Sequence, residues 1–297
     1  MGENPDKKIY GLLGKNISYS LSPVMHNAAF RHFKIPATYQ LFDIPEDGLK
    51  TFFEDHVLNG ELSGFNVTVP YKTRVCELMS SFEGYSYDPT VGAKMLGALN
   101  TVKVDGKKLY GENTDVLGFL YSLAIETKFP LKGKSVFISG AGGVGRAIGI
   151  FLAAVHGTKI VSVYDTSETQ IASLLEFISG TDYAGDMFLI NDKTDALRKL
   201  SESDLVINAT PLGTNEGDPL PFDPDLLKSD AVVYDVVYAR ETELIKKAKE
   251  KGITTVNGLG MLVYQGAYAF HIWTGEDVEK TAKIMIAAIQ EELKKRG

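Results

Sequence analysis

One cysteine in 297 residues excludes an internal disulfide and a cysteine-based metal cluster. Cys76 stands in a stretch that reads as helix, where a core position is the plain account. Long hydrophobic runs are missing too. The longest wholly apolar stretch, near Ala147–Val155, falls well short of the ~20 residues a membrane-spanning helix needs. Clustered positive charge is absent outside Lys294-Lys295-Arg296, and the formal charge is −7. Phosphate neutralisation needs clustered Lys and Arg, so nucleic acid is not an expected partner. The opening MGENPDKK lacks the apolar core of a signal peptide, and Asp6 stands where a myristoylation signal has Ser or Thr. Repeats and low-complexity segments are absent. His26, His32, His56, His156 and His271 are scattered and read as structural, so no metal is expected. At 44% hydrophobic and 23% charged, the chain has the composition of a cytoplasmic globular protein. Its length suits two domains, each with its own core. A small molecule is the expected partner, a membrane is not, and a homodimer stays open.

Strand-like and helix-like segments alternate almost throughout, which argues α/β with parallel sheets. KIYGLLG (8–14), TYQLFDI (38–44) and GFNVTV (64–69) read as strands, and Pro70 stands near the start of the next helix. LNTVKVDGKKLYGENTD suggests two short strands about an Asp105-Gly106 turn. A helix from about Asp115 to Lys128 leads to FPLKGK, a plausible domain boundary. The pattern then restarts with SVFIS, a glycine loop, RAIGIFLAAV, KIVSVYD and SETQIASLLEFI. DLVINAT and AVVYDVV read as further strands, and the chain closes on two helices.

The loop is Gly140-Ala141-Gly142-Gly143-Val144-Gly145. It follows an apolar strand and opens an Ala-rich helix, the context that makes G-x-G-x-x-G a dinucleotide signal. Gly140 permits the tight turn, Gly142 the approach of a pyrophosphate and Gly145 close helix–strand packing. The helix N-terminus then offers free N–H groups to the phosphates. A carboxylate that reads the ribose is expected about 20 residues on, at the end of the second strand. Asp165, in VYDTSET, holds that place. It suits the two ribose hydroxyls of NAD and repels the 2′-phosphate of NADP. No Lys or Arg follows closely, and Arg146 is the one nearby cation that offsets the repulsion. The expectation is NAD preferred, with NADP possible.

In NVTVPYK, strand alternation places Asn66 and Thr68 on one face. Such a face suits either a hydroxylated ligand or plain solvent. Lys72 falls in the first turn of a helix, where the macrodipole disfavours positive charge. That is the direction acid–base work near neutral pH requires, although a surface lysine is the commoner reading. Ser20 and Ser22 stand two apart before Pro23, and Ser22 also suits a helix cap. Asn113-Thr114-Asp115 marks a helix start.

SLSPVMHN, GFNVTVPYK, GALNTV, GENTDVLGF, GAGGVGRA, NATPLG and GLGMLVYQGAYAFHIWTG occur in this order over roughly residues 8–276. Together they resemble the shikimate dehydrogenase family, including its quinate/shikimate branch. The resemblance implies that Ser20 and Ser22 bind the substrate carboxylate. It implies that Asn66, Thr68, Asn100 and Gln265 hold ring hydroxyls, with Lys72 and Asp115 as the catalytic pair beside the reacting oxygen. Tyr238, in YDVVY, would lie near substrate and nicotinamide. Asn208, Ala209, Thr210 and Val236 would run along the cofactor, and Gly258 and Met261 would line its nicotinamide side. Two departures stand out. Asp165-Thr166-Ser167 replaces the Asn-Arg-Thr-like grip on the NADP phosphate, and YSYDPTVGAKMLG differs from the usual acidic-Thr-Pro helix start.

The expected architecture is a substrate domain of 1–114 completed by 259–297, and a Rossmann-like domain of 115–258, with the active site in the cleft. The expected reaction is oxidation of shikimate to 3-dehydroshikimate with NAD(P), or of quinate to 3-dehydroquinate. A non-enzymatic sensor of either ligand is the alternative of a different class.

Overall fold

The computed structural model describes residues 7–155, 157–181, 187–238 and 240–296. His156, most of MGENPDKK and the side chain of Arg296 lie outside the described residues. The chain divides into two compact units, Met1–Gly118 with Val263–Gly297, and Phe119–Leu262.

In the first unit the strands are β1 (Lys8–Gly14), β2 (Ala37–Asp43), β3 (Leu62–Val67), β4 (Ser86–Pro89), β5 (Thr101–Asp105) and β6 (Lys108–Glu112). They form one sheet in the order β2-β1-β3-β5-β6-β4. The sheet is mixed, not parallel as the alternation suggested. β1 pairs parallel with β2 and β3, whereas β5 is antiparallel to β3 and to β6. A two-residue turn at Gly106-Lys107, one residue on from the Asp105-Gly106 expected from sequence, makes β5 and β6 antiparallel, since parallel neighbours need a long crossover. The Ser86–Pro89 segment, to which the sequence pattern assigns no element, forms a strand at the sheet edge, paired with β6. There, Pro89 removes no essential ladder hydrogen bond. Helices α1 (Ser22–His32), α2 (Leu49–Phe52), α3 (Lys72–Met79) and α4 (Val91–Leu96) belong to the same unit. Its core gathers Phe52, Phe53, Phe65, Tyr71 and Met79, all nearly inaccessible. Pro70 lies in a turn closed by Tyr71 N–H donating to the Thr68 carbonyl, so α3 begins two residues after it.

Helix α5 (Asp115–Thr127) carries the chain into the second unit. Its strands are β7 (Ser135–Ser139), β8 (Ile160–Tyr164), β9 (Met187–Ile190), β10 (Leu205–Asn208), β11 (Val232–Asp235) and β12 (Thr254–Asn257). All pair parallel, in the order β12-β11-β10-β7-β8-β9. This is the dinucleotide-binding order, with its switch point between β7 and β10. Helices α6 (Gly143–Val155), α7 (Glu168–Ser179), α8 (Lys193–Glu202) and α9 (Glu243–Glu250) connect the strands. Helix α10 (Leu259–Thr274) returns the chain to the first unit, where α11 (Val278–Arg296) packs along α1.

The boundaries fall at 118 and 262, inside α5 and α10, a few residues beyond the helix starts expected from sequence. The first turn of α5 is tied to the first unit through Asp115, whose carboxylate binds Asn100 and Lys72. The start of α10 is tied to the second, because Gly258 packs directly on the Val236 carbonyl. No helix among the described residues is long and apolar enough to cross a membrane.

Candidate active site

Most of the residues expected to meet the substrate come together in the first unit. Asn66 is the penultimate residue of β3, central in its sheet, opposite Thr101 of β5. Its amide is held on every side. Nδ2 donates to the Asn100 carbonyl at 3.1 Å and to Thr101 Oγ1 at 3.0 Å, while Oδ1 accepts from the Tyr39 hydroxyl at 2.8 Å.

Asn100 precedes β5, and its orientation is over-determined. Its Oδ1 accepts from Thr101 Oγ1, from Thr114 N–H and from Thr114 Oγ1. Nδ2 is thereby turned toward Asp115 Oδ1 at 2.8 Å and Gln265 Oε1 at 3.4 Å. Asp115 opens α5, where the free N–H groups and the dipole favour a carboxylate. Lys72 opens α3, seated by the buried Tyr71 ring, whose hydroxyl donates to the Ile44 carbonyl. Lys72 Nζ donates to Asp115 Oδ2. The two side chains are 21% and 13% exposed, accessible to a ligand yet largely shielded from solvent.

Ser20 and Ser22 lie at the start of α1, with Ser20 Oγ donating to Ser22 Oγ at 3.1 Å and accepting from Ser22 N–H. Ser22 makes no side-chain cap, since Leu21 is the N-cap residue. Thr68 stands just past the end of β3, its methyl group against Gly14. Gln265 is carried by α10, which is anchored by Trp273 Nε1 donating to the Val102 carbonyl at 2.9 Å. Tyr238 does not join this cluster within the first unit. It belongs to the second, shortly after β11.

The dinucleotide residues gather at the C-terminal ends of the strands of the second unit. Gly140 has φ +105°, and a Cβ there would meet the Ala209 backbone at 2.8 Å. A Cβ at Gly145 would lie 2.0 Å from the Gly140 carbonyl oxygen. At Gly142 and Gly143 a Cβ would meet nothing within 4 Å. The first pair shapes the turn, and the second leaves it open at the N-terminus of α6, beside Val144. A pyrophosphate fits that cradle.

Asp165 follows β8 with its carboxylate pinned by two backbone donors, Ala141 N–H on Oδ2 and Ser167 N–H on Oδ1, both at 2.8 Å. Arg146 lies with its guanidinium carbon 3.9 Å from the centre of the Phe177 ring, and its Nε is buried without a partner. Burial lowers its pKa below the usual guanidinium value.

Asn208 Oδ1 accepts from the N–H and hydroxyl of Thr210, shaping the turn through Ala209. Its Nδ2 donates to Asp235 Oδ1 at 2.9 Å. Asp235 is a residue that sequence reading passed over. Fully buried, it also accepts from Thr242 Oγ1 and Val237 N–H, and burial pushes its pKa up. The available signal was an acid within the apolar run AVVYDVV. Val236, Gly258 and Met261 complete this rim: Gly258 N–H donates to the Val237 carbonyl, and Met261 is buried. Tyr39, Thr101 and Thr114 were also missed, since each looks like an ordinary strand or cap residue.

These groups define a class. A Lys–Asp pair among fixed hydroxyl and amide groups, in a chain with a dinucleotide-binding sheet, belongs to an oxidoreductase acting on a hydroxylated small molecule. Comparison with known proteins narrows this. Residues 12–102 match the shikimate dehydrogenase substrate binding domain, and residues 258–290 the shikimate 5′-dehydrogenase C-terminal domain. The chain is 37% identical to shikimate dehydrogenase (NADP(+)) of Aquifex aeolicus, over 93% of this chain and 94% of that one. Shikimate 5-dehydrogenase from Listeria monocytogenes, solved with shikimate and NAD, superposes with TM-score 0.82 at 31% identity, over 96% and 99% of the two chains. Quinate dehydrogenase from Corynebacterium glutamicum, solved with NAD, gives TM-score 0.82 at 30% identity, over 95% and 100%. This chain belongs to the shikimate dehydrogenase family.

Proposed function

We propose that the protein catalyses the reversible oxidation of shikimate to 3-dehydroshikimate with a nicotinamide dinucleotide, NAD being favoured and NADP accepted. The observation that carries the reading is the network joining Lys72, Asp115, Asn100, Asn66 and Gln265. When bound, the dinucleotide takes up or supplies the hydride. The chain's own residues do the rest. Ser20 and Ser22 receive the substrate carboxylate with hydroxyl groups. Both amide hydrogens of Asn66 are already engaged, so Asn66 meets a ligand hydroxyl as an acceptor, through Oδ1. Thr68, Asn100 and Gln265 hold the remaining hydroxyls.

Oxidation of a secondary alcohol to a carbonyl releases the hydroxyl proton, and the Lys72–Asp115 pair receives it. In the reverse direction the pair returns that proton to the developing alkoxide. Gly140 to Val144 and the N-terminus of α6 hold the pyrophosphate. Asp165, its carboxylate fixed by Ala141 and Ser167, accepts from the adenine-side ribose. Asn208, Ala209, Thr210, Val236, Gly258 and Met261 line the course of the dinucleotide, with Tyr238 at its nicotinamide end.

The NAD preference rests on Asp165, where the sequence has no adjoining arginine. Quinate is the second reading, favoured by that same carboxylate and by the likeness to a quinate dehydrogenase solved with NAD. Initial rates crossing shikimate and quinate with NAD and NADP test both. Dominance of shikimate with NAD supports the leading reading, dominance of quinate the second, and dominance of NADP overturns the role given to Asp165. Binding of shikimate without turnover would instead identify a sensor.

A further inference from the structure

Two residues of SLSPVMHN, His26 and Asn27, have no part in the reaction above, yet both converge on one buried side chain. Asn27 Nδ2 donates to the Tyr39 carbonyl at 2.8 Å, and its Oδ1 accepts from the Tyr39 N–H at 2.9 Å. Tyr39 lies on β2, an edge strand whose outward backbone groups have no neighbouring strand. Asn27 therefore satisfies them as a strand would. His26 is wholly buried and stacks on the Tyr39 ring, with centroids 4.3 Å apart and planes 7° from parallel. Both of its ring nitrogens lack a hydrogen-bond partner. An unpaired buried imidazole is costly, so its contribution is the flat face it presents. Phe270 and Trp273 pack around it. Backbone and ring of Tyr39 are thus each fixed by one residue of the motif.

What this fixing orients is the phenol. Tyr39 Oη donates to Asn66 Oδ1 at 2.8 Å. An asparagine amide can flip, exchanging donor for acceptor. The Tyr39 donor, with Asn100 and Thr101 as acceptors on the other side, allows one orientation only. Burial holds the phenol far above its usual pKa, so it remains a donor at every working pH.

We propose that Tyr39 is a positioning residue for substrate: clamped by His26 and Asn27, its hydroxyl fixes which way the Asn66 amide faces at the hydroxyl end of the site. The proposal rests on the substrate reading given above for Asn66. Removing the Tyr39 hydroxyl frees the Asn66 amide to turn, while the Lys72–Asp115 pair and the dinucleotide residues are untouched. The defect therefore belongs in substrate binding.

The test is Tyr39→Phe, Asn66→Ala and the double variant, each measured for substrate KM, dinucleotide KM, kcat and thermal midpoint. Tyr39→Phe should raise substrate KM about tenfold, the effect of roughly one hydrogen bond, with kcat and dinucleotide KM within about threefold. In the Asn66→Ala background it should add less than in the wild type, because partners acting through one another are not additive. An unchanged substrate KM, full additivity, or equal losses in both KM values overturns the proposal. Should Tyr39→Phe not fold, Asn27→Ala releases the same ring from its backbone side and must raise substrate KM alone. If the wild type turns over neither shikimate nor quinate, the proposed reaction fails, and Tyr39 is judged by calorimetry with shikimate as probe. Weaker binding to Tyr39→Phe then sustains its role, whereas equal binding, or none to the wild type, overturns it.

Discussion

Replacing Asp165 by asparagine separates charge from shape at the position given the choice of dinucleotide. Two unit charges ~5 Å apart repel by about 3 kcal/mol at an effective dielectric near 20. The Asp165 carboxylate is only half-buried, and solvent and salt reduce the repulsion to about 1–2 kcal/mol. That corresponds to a discrimination of about 5- to 30-fold against a 2′-phosphate. The substitution has a second consequence. Asp165 accepts from two backbone donors, Ala141 N–H and Ser167 N–H, and an asparagine has one oxygen to offer them. One N–H therefore loses its partner, at a cost of about 1–3 kcal/mol, and the glycine loop loosens for both dinucleotides alike. Absolute rates with Asp165→Asn should therefore fall with NAD and change less with NADP. The ratio of kcat/KM for NADP over NAD, from nicotinamide absorbance at saturating substrate, is the quantity to follow. It should rise at least fivefold, and less so at high salt. A ratio within twofold of the wild type would refute the electrostatic argument, leaving Asp165 as a structural acceptor for the loop.

Lys72→Ala should lower kcat by about 10²–10⁴-fold, the span of general acid–base catalysis, with substrate KM changed far less; near-normal turnover would remove Lys72 from the chemistry. Gly145→Ala and Gly142→Ala should behave oppositely. At Gly145 a Cβ would lie 2.0 Å from a carbonyl oxygen, so the thermal midpoint should drop, whereas Gly142→Ala, with open space around it, should fold normally and bind dinucleotide more weakly by calorimetry. His26 carries a pH signature. Burial depresses its pKa to about 3, so its contribution to stability is complete above the unfolded value near 6.5 and is lost as pH falls toward 3. His26→Phe, measured by thermal unfolding between pH 7 and 4, should flatten that acid limb; a parallel limb in the variant would place the acid sensitivity elsewhere.

The local alphabet of this fold was open to reading. GAGGVG between an apolar strand and an Ala-rich helix needs no tertiary information, because its glycines answer to steric demands made within a few residues. The same holds for the β5–β6 hairpin, signalled by Asp105-Gly106 and turning at Gly106-Lys107, and for Asp165 at its distance from the loop. Lys72 and Asp115 were legible as helix-start residues, and the ordered motifs joined them into one site. Other features were decided in three dimensions. Ser86–Pro89 became a strand only because a sheet edge was there to accept it, a fact outside the period-two pattern. The mixed first sheet came from which strand found which neighbour. Asp235 looked like an interruption of an apolar run until Asn208, from a neighbouring strand 27 residues earlier, and Thr242, from the loop that follows, were brought to its two oxygens. Tyr39 looked like a half-buried strand residue until α1 laid His26 on its ring and Asn27 along its backbone. Sequence determines propensity, spacing and chemical type, which act over a turn or a strand. Orientation of buried polar groups is a many-body matter, settled when donors and acceptors from distant segments must all be satisfied at once.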